Sequence, residues 1–256
     1  MTNILFFDVD GTLYNTRKEI PNSAKEAIER ARQNGYEIAI ATGRAPFMIQ
    51  SILEELNIDT YVTFNGQYVV YKGKVIYTDS VPKEYLSKII EFGHKRNHPV
   101  VFLDDKEMIA SVEGNPFIEE SINTLQYPYP VSNPSFYENA EVYQTLIFIE
   151  EKDEKVYHET FPEVKFIRWH RYSCDIIPKD GSKARGIKKL LEKMNIPIEN
   201  SIAFGDGLND IEMLQAVGTS VAMGNGHEQT KRVATYIADH VDNDGLSKAM
   251  KELRII

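Results

Sequence analysis

Ile4-Leu5-Phe6-Phe7-Asp8-Val9-Asp10-Gly11-Thr12-Leu13 carries four apolar residues straight into an acidic, glycine-containing turn. An uninterrupted apolar run of that length suits a central parallel strand covered on both faces, because a strand with one wet face would alternate instead. The two carboxylates then stand at the strand's C-terminal end. Asp8 and Asp10 are two residues apart and can approach one point, where like charges ~4 Å apart repel by about 4 kcal/mol at an effective dielectric near 20. A divalent cation with hard oxygen ligands would offset that repulsion, and magnesium suits a site with few carboxylates that also engages phosphate. The alternative is that one aspartate stays protonated and serves as a general acid.

Working outward, Ser23 and Glu26 have capping-box spacing and Ala24, Ala27, Ile28 and Ala31 supply an apolar face, so the spacing predicts a helix over 23–34 that ends at Gly35. Tyr36 to Ala41 reads as a second strand running into Thr42-Gly43-Arg44, followed by a helix to about Asn57 and a strand from Tyr61 to Phe64. This βαβαβ alternation predicts an α/β fold with a Rossmann-like parallel sheet, whose ligands bind beyond the carboxyl ends of the strands. The pattern changes after Asn65-Gly66. A hairpin about Lys72-Gly73, a helix opened by Pro82, strands flanking Asp104-Asp105, a helix near Pro116 to Leu125, a strand from Val142 to Ile149, a short helix and strands at Trp169 and Asp175 form a different module. The first alternation resumes after Lys179-Asp180-Gly181, with a helix at Lys183 to Asn195, strands at Ser201 to Phe204 and Ser220 to Ala222, a helix after Asn209 and a last one near Asp244 to Leu253. The expected domains are therefore a discontinuous core, 1–80 and 180–256, and an inserted α/β domain, 81–179.

Taken alone, the Asp8 turn also fits a calcium-loop fragment or a solvated turn. An EF-hand loop counted from Asp8 would need glycine at its sixth position, where Leu13 stands, so calcium falls away. Gly205-Asp206-Gly207-Leu208-Asn209-Asp210 follows another apolar strand, and two carboxylate clusters at parallel-strand ends converge naturally. That segment is no dinucleotide loop, because Asp210 replaces the third glycine and its acids would repel a pyrophosphate. No Gly-x-x-x-x-Gly-Lys-Ser/Thr stretch occurs, which excludes a P-loop NTPase.

Asp8-Val9-Asp10-Gly11-Thr12-Leu13, Ala41-Thr42-Gly43-Arg44, Lys183 and Gly205-Asp206-Gly207-Leu208-Asn209-Asp210-Ile211-Glu212-Met213 resemble, in order, motifs one to four of the haloacid dehalogenase superfamily. The long insert after the second motif, with Val221-Ala222-Met223-Gly224-Asn225 downstream, is similar to the Cof-type sugar-phosphate phosphatases, and the resemblance spans the whole chain. It implies a Mg²⁺-dependent phosphatase of small phosphate monoesters, such as sugar phosphates or related metabolites. Asp8 would be the nucleophile of an aspartyl-phosphate intermediate, and Asp10 the acid that protonates the leaving alcohol and then the base that activates water. Mg²⁺ would be held by Asp8, the Asp10 main-chain carbonyl and Asp206, with Asp210 acting directly or through water. Thr42, Lys183 and the Val9 and Gly43 amides would bind the phosphoryl oxygens, and Asn209 would orient Asp10 or Lys183 or touch the phosphate. Arg44 and Asn65 flank the site as candidate substrate contacts. The inserted domain would be a cap that excludes water on closing, with Phe102, Tyr129 and Trp169 as candidates for its inner face. Gln67 and Gly226 stand where Ala is usual in the family, and the first bears on specificity. A phosphomutase or phosphotransferase sharing the same intermediate, and a non-catalytic phosphate-ester sensor, are the rival readings.

Net charge of -9 and a pI near 5.3 work against nucleic-acid or anionic-membrane partners, since phosphate surfaces are gripped by clustered Lys and Arg. A small phosphorylated metabolite is the expected partner, and no obligate protein partner is expected. The only cysteine, Cys174, has no internal disulfide partner and fits a buried thiol. The apolar start is broken by Asp8 and lacks a basic flank, which argues against an ordinary signal peptide and for a cytoplasmic location. His94 and His98 share a helical spacing but lack a third metal ligand, and are expected to be solvated.

Overall fold

The computed structural model describes residues 2–256. In chain order the elements are β1 (Asn3–Phe7), α1 (Asn22–Gln33), β2 (Tyr36–Ala41), α2 (Gln50–Glu55), β3 (Tyr61–Thr63), β4 (Tyr68–Tyr71) and β5 (Lys74–Thr78). There follow α3 (Lys83–His94), β6 (Val100–Leu103), β7 (Met108–Ala110), α4 (Pro116–Thr124), α5 (Phe136–Asn139), β8 (Gln144–Phe148), α6 (Glu151–Thr160), β9 (Val164–His170) and β10 (Ser173–Pro178). The chain closes with α7 (Lys183–Met194), β11 (Ser201–Gly205), α8 (Ile211–Ala216), β12 (Thr219–Ala222), α9 (Glu228–Val233), β13 (Tyr236–Ile237) and α10 (Gly245–Glu252).

Two compact units result. One comprises 1–44, 48–77 and 182–256, the other 45–47 and 78–181. The first holds an eight-stranded sheet in the order β13-β12-β11-β1-β2-β3-β4-β5. Its β1 pairs in parallel with both β11 and β2, and β4 is antiparallel to β3. The apolar opening is explained by the two faces of this sheet: Leu5 and Phe7 enter a core formed with α1, α2 and α10, while Ile4 and Phe6 enter a second core under α7 and α8. All four side chains are fully buried. At about 1.5–3 kcal/mol for each large side chain removed from water, this double burial anchors β1 as the central strand. Strand order reverses at β1, so its C-terminal end is the crevice in which such sheets bind ligands.

The second unit carries an antiparallel sheet in the order β7-β6-β8-β10-β9. Phe102, Ile147, Phe166, Cys174 and Ile176 form one core with Leu86 and Ile89 of α3 and Tyr157 of α6. Burial pushes the Cys174 thiol up to about 12, so it is a packing residue. His98 departs from the solvated reading, since its Nδ1 lies 2.8 Å from the Tyr157 hydroxyl.

Several local expectations are corrected. The capping box at Ser23 and Glu26 does not form; Pro21 occupies the N-cap of α1 and the Ser23 hydroxyl donates to Asp244. The single helix expected after Arg44 is broken into a 3₁₀ turn at Pro46–Met48 and the short α2, because Ile49 leaves helical geometry at ψ 5°. The short elements α5, α9 and β13 lie outside the sequence reading; each has at most six residues, too few to show a period. Among the described residues, no helix is long and apolar enough to cross a membrane.

Candidate active site

The turn after β1 places its carboxylates through backbone bonds. Val9 O accepts from Tyr14 N at 2.8 Å, and Gly11 N donates to Tyr14 O at 3.1 Å, which closes the loop on itself. Gly11 has φ +78°, and a Cβ there would lie 2.2 Å from Asp206 Oδ2. Both the left-handed backbone and the close approach of the second acidic loop require glycine here.

A second turn follows β3. Phe64 and Asn65 both adopt left-handed geometry, at φ 52° and 53°, and are tied back to the end of β2 by Phe64 N to Arg44 O at 3.0 Å and Asn65 N to Thr42 O at 3.1 Å. Two consecutive non-glycine residues in this region store strain that the surrounding bonds must hold. Asn65 is thereby set to accept from Asn209 Nδ2 at 3.0 Å. Gln67, the departure from the family wording, is fully buried and neither of its amide atoms has a partner.

Lys183 is the first residue of α7, behind a Ser182 N-cap whose hydroxyl accepts from Arg185 N at 3.3 Å. Its ammonium is wholly buried and donates to Asp8 Oδ1 at 2.5 Å and to Asp210 Oδ1 at 2.6 Å. The other oxygen of Asp210 accepts from Asp206 N at 2.9 Å and Gly207 N at 2.8 Å, so this carboxylate also shapes the loop after β11. Asp206 is flanked by Thr12, whose hydroxyl donates to Oδ1 at 3.5 Å, and by Asn225, whose amide bridges Gly11 O at 2.8 Å and Asp206 Oδ2 at 3.4 Å.

These charges do not balance. Asp8, Asp206 and Asp210 each offer an oxygen within 4.8 Å of the others, and among the described residues Lys183 supplies the ammonium that contacts this group. With all three carboxylates ionised, -3 against +1 would leave a local excess of two negative charges, which the site resists by raising two of their pKa values. Burial, opposed by Lys183 and reinforced by Asp210 and Asp206, holds Asp8 well above the usual carboxylate range. Burial and the neighbouring Asp210 push Asp206 up to about 7, against the pull of Lys183. The Lys183 ammonium resists desolvation because Asp210 and Asp8 hold its proton. All-oxygen donors with two uncompensated charges match a hard divalent cation.

Asp10 has a separate environment. Arg44 grips its carboxylate with Nε at 2.7 Å and Nη2 at 2.9 Å, and Lys18 Nζ adds a contact at 2.6 Å. Burial raises the Asp10 pKa, but Arg44 and Lys18 outweigh it and bring the group down to about 2. The structure thus brings Asp8, Lys183, Asp206 and Asp210 together, sets Thr42 at the adjoining end of β2, joins Asn209 to Asn65, and engages Arg44 with Asp10. Lys18, Thr12 and Asn225 complete the site without having been singled out. Lys18 carries no sequence signal, while Asn225 stood inside a quoted motif without a role.

Against known proteins, residues 5–250 match the family model described as haloacid dehalogenase-like hydrolase. The Bacillus subtilis (strain 168) protein named "Putative phosphatase YkrA" is 40% identical over 100% of this chain and 99% of its own length. Pyridoxal phosphate phosphatase YbhA of Escherichia coli (strain K12) is 30% identical over 96% of this chain and 97% of its own. The solved structure of the HAD subclass IIB sugar phosphatase BT4131 matches with a TM-score of 0.91 at 35% identity, covering 99% of this chain and 100% of that one.

Proposed function

Given that the chain belongs to the haloacid dehalogenase-like hydrolase family, we propose that it is a Mg²⁺-dependent phosphatase that hydrolyses sugar phosphates or related metabolites through a phosphoryl group carried on Asp8. Its standing as a phosphatase of small phosphate esters rests on its relatives. The observation that carries the finer reading is the buried contact of Asp8 Oδ1 with Lys183 Nζ, 2.5 Å apart at the carboxyl end of the central strand, beside two further carboxylates.

In the first step an Asp8 oxygen attacks phosphorus, the P–O bond to the alcohol breaks, and a protonated Asp10 gives its proton to the departing oxygen. In the second, Asp10 accepts a proton from water, the resulting hydroxide attacks the phosphoryl group, and inorganic phosphate leaves with the Asp8 carboxylate restored. Arg44 and Lys18, which bring Asp10 down to about 2, favour the form that the second step uses; the first step requires Asp10 to gain a proton, which the negative charge of a bound phosphate ester beside it favours. Splitting the transfer uses a carboxylate nucleophile that, once ionised against Lys183, needs no separate base to activate it. Thr42, Lys183 and the Val9 and Gly43 amides hold the phosphoryl oxygens, and Asn209 reaches the phosphate from its contact with Asn65. Asp8, Asp206 and the main-chain carbonyl of Asp10 would hold Mg²⁺, with Asp210 bound directly or through water; when bound, the ion supplies the positive charge that this cluster and a phosphate dianion both lack.

A panel of phosphate monoesters assayed with Mg²⁺, with chelator and with Asp8→Asn tests this reading. Hydrolysis is expected to vanish in both of the last two conditions. Turnover that survives either at a similar rate rules the mechanism out.

A further inference from the structure

Two cations from separate loops converge on the Asp10 carboxylate, and the two steps written above assign neither of them a role. Arg44 is pinned by its own backbone: its N–H donates to Thr42 Oγ1 at 3.2 Å and its carbonyl accepts from Phe64 N at 3.0 Å. Its guanidinium sits 5.7 Å from the centre of the Tyr14 ring, and its side chain is only 11% exposed. The two-pronged contact with Asp10 fixes the plane of the carboxylate as well as its position.

Lys18 reaches the same carboxylate from a built turn. Its φ is 59°, a left-handed geometry that strains a residue carrying a β-carbon. The turn is held by Asn15, which is almost fully buried and whose Oδ1 accepts from Arg17 N at 2.9 Å and Glu19 N at 3.0 Å, while Lys18 N donates to Asn15 O at 3.0 Å. Thr16 is tied in turn to Asp242 through its N–H at 3.1 Å and its hydroxyl at 2.9 Å. A solvated surface lysine needs no such scaffold.

We propose that Arg44 and Lys18 are positioning residues that aim the Asp10 carboxyl at the leaving-group oxygen and thereby select for esters whose alcohol needs a delivered proton. The inference rests on the acid/base reading of Asp10. It gives Arg44 a role through Asp10 in place of a direct grip on substrate. Asp10 lies on a turn with 38% of its side chain exposed, so without these partners it would sample several rotamers. General acid help is worth about 10²–10⁴ in rate, so even partial misaim is measurable. Esters of acidic phenols, whose anions depart unaided, escape this requirement.

The test compares Arg44→Ala, Lys18→Met and Asp10→Asn on an alkyl phosphate and on p-nitrophenyl phosphate, with the burst of nitrophenolate counting competent sites. Both cation variants are expected to lower kcat for the alkyl ester by about tenfold or more with KM within about twofold, while the burst rate on the aryl ester stays within about twofold of the parent. Lys18→Met, on a part-exposed side chain, guards against a fold defect in Arg44→Ala. Equal losses on both esters, a rise in KM alone, or no change on either would overturn the proposal. The Asp10→Asn arm separates the two levels: if that variant itself fails to discriminate between the esters, the acid/base reading is what falls.

Discussion

Asp206 is held in a loop where burial and Asp210 oppose its ionisation. A folded-state pKa of about 7 against an ordinary 3.8 means that the folded protein binds the proton more tightly than the unfolded chain does. Without metal, the contribution of this group to stability is fully favourable below pH 3.8, declines as pH rises towards about 7, and is level above it. The slope is at most about 1.4 kcal/mol per pH unit for one group. Asp8 shifts in the same direction, whereas Asp10, lowered to about 2, acts only at more acidic pH. Urea unfolding of the chelated protein should therefore show stability falling between pH 4.5 and 7, and Asp206→Asn should flatten that fall and stabilise the protein at pH 7.5 by at least about 1 kcal/mol. An unchanged slope in the variant would show that the cluster is not charge-strained. Such a site trades stability for function, as active sites commonly do.

At the scale of elements, β1 has to be both the middle of the sheet and the platform for Asp8. Phe6 is fully buried in the core under α7, the helix that begins with Lys183. Phe6→Ala should cost about 3–5 kcal/mol of unfolding free energy measured in denaturant, since the cavity lies between packed layers that cannot collapse onto it. A loss below about 1 kcal/mol would mean that this face of β1 is not the core described. The elements carrying the motifs were legible because a doubly buried strand and a helix with a clear apolar face announce themselves locally. Ser23 shows where local reading ends: its spacing to Glu26 suggested a cap, but its hydroxyl is taken by Asp244, which is 221 residues away. The break at Ile49 likewise has no local signal.

Across the whole molecule, the family motifs mark which carboxylates meet, because parallel strands deliver them to one edge of the sheet in a fixed order. They do not show how the charges are shared. That Lys183 spans Asp8 and Asp210 follows from packing between elements distant in the chain, whereas the bond of Asp210 to the Gly207 backbone and the turn of Lys18 back onto Asp10 are local contacts that no residue pattern announces. The central claim is that Asp8 carries the phosphoryl group, and it is tested by rapid acid quench of Asp10→Asn with a reactive phosphate monoester and Mg²⁺, followed by peptide mass analysis. The account predicts one added phosphoryl group on the peptide containing Asp8, absent in Asp8→Asn. A burst of released alcohol with no phosphoryl group on that peptide would contradict it.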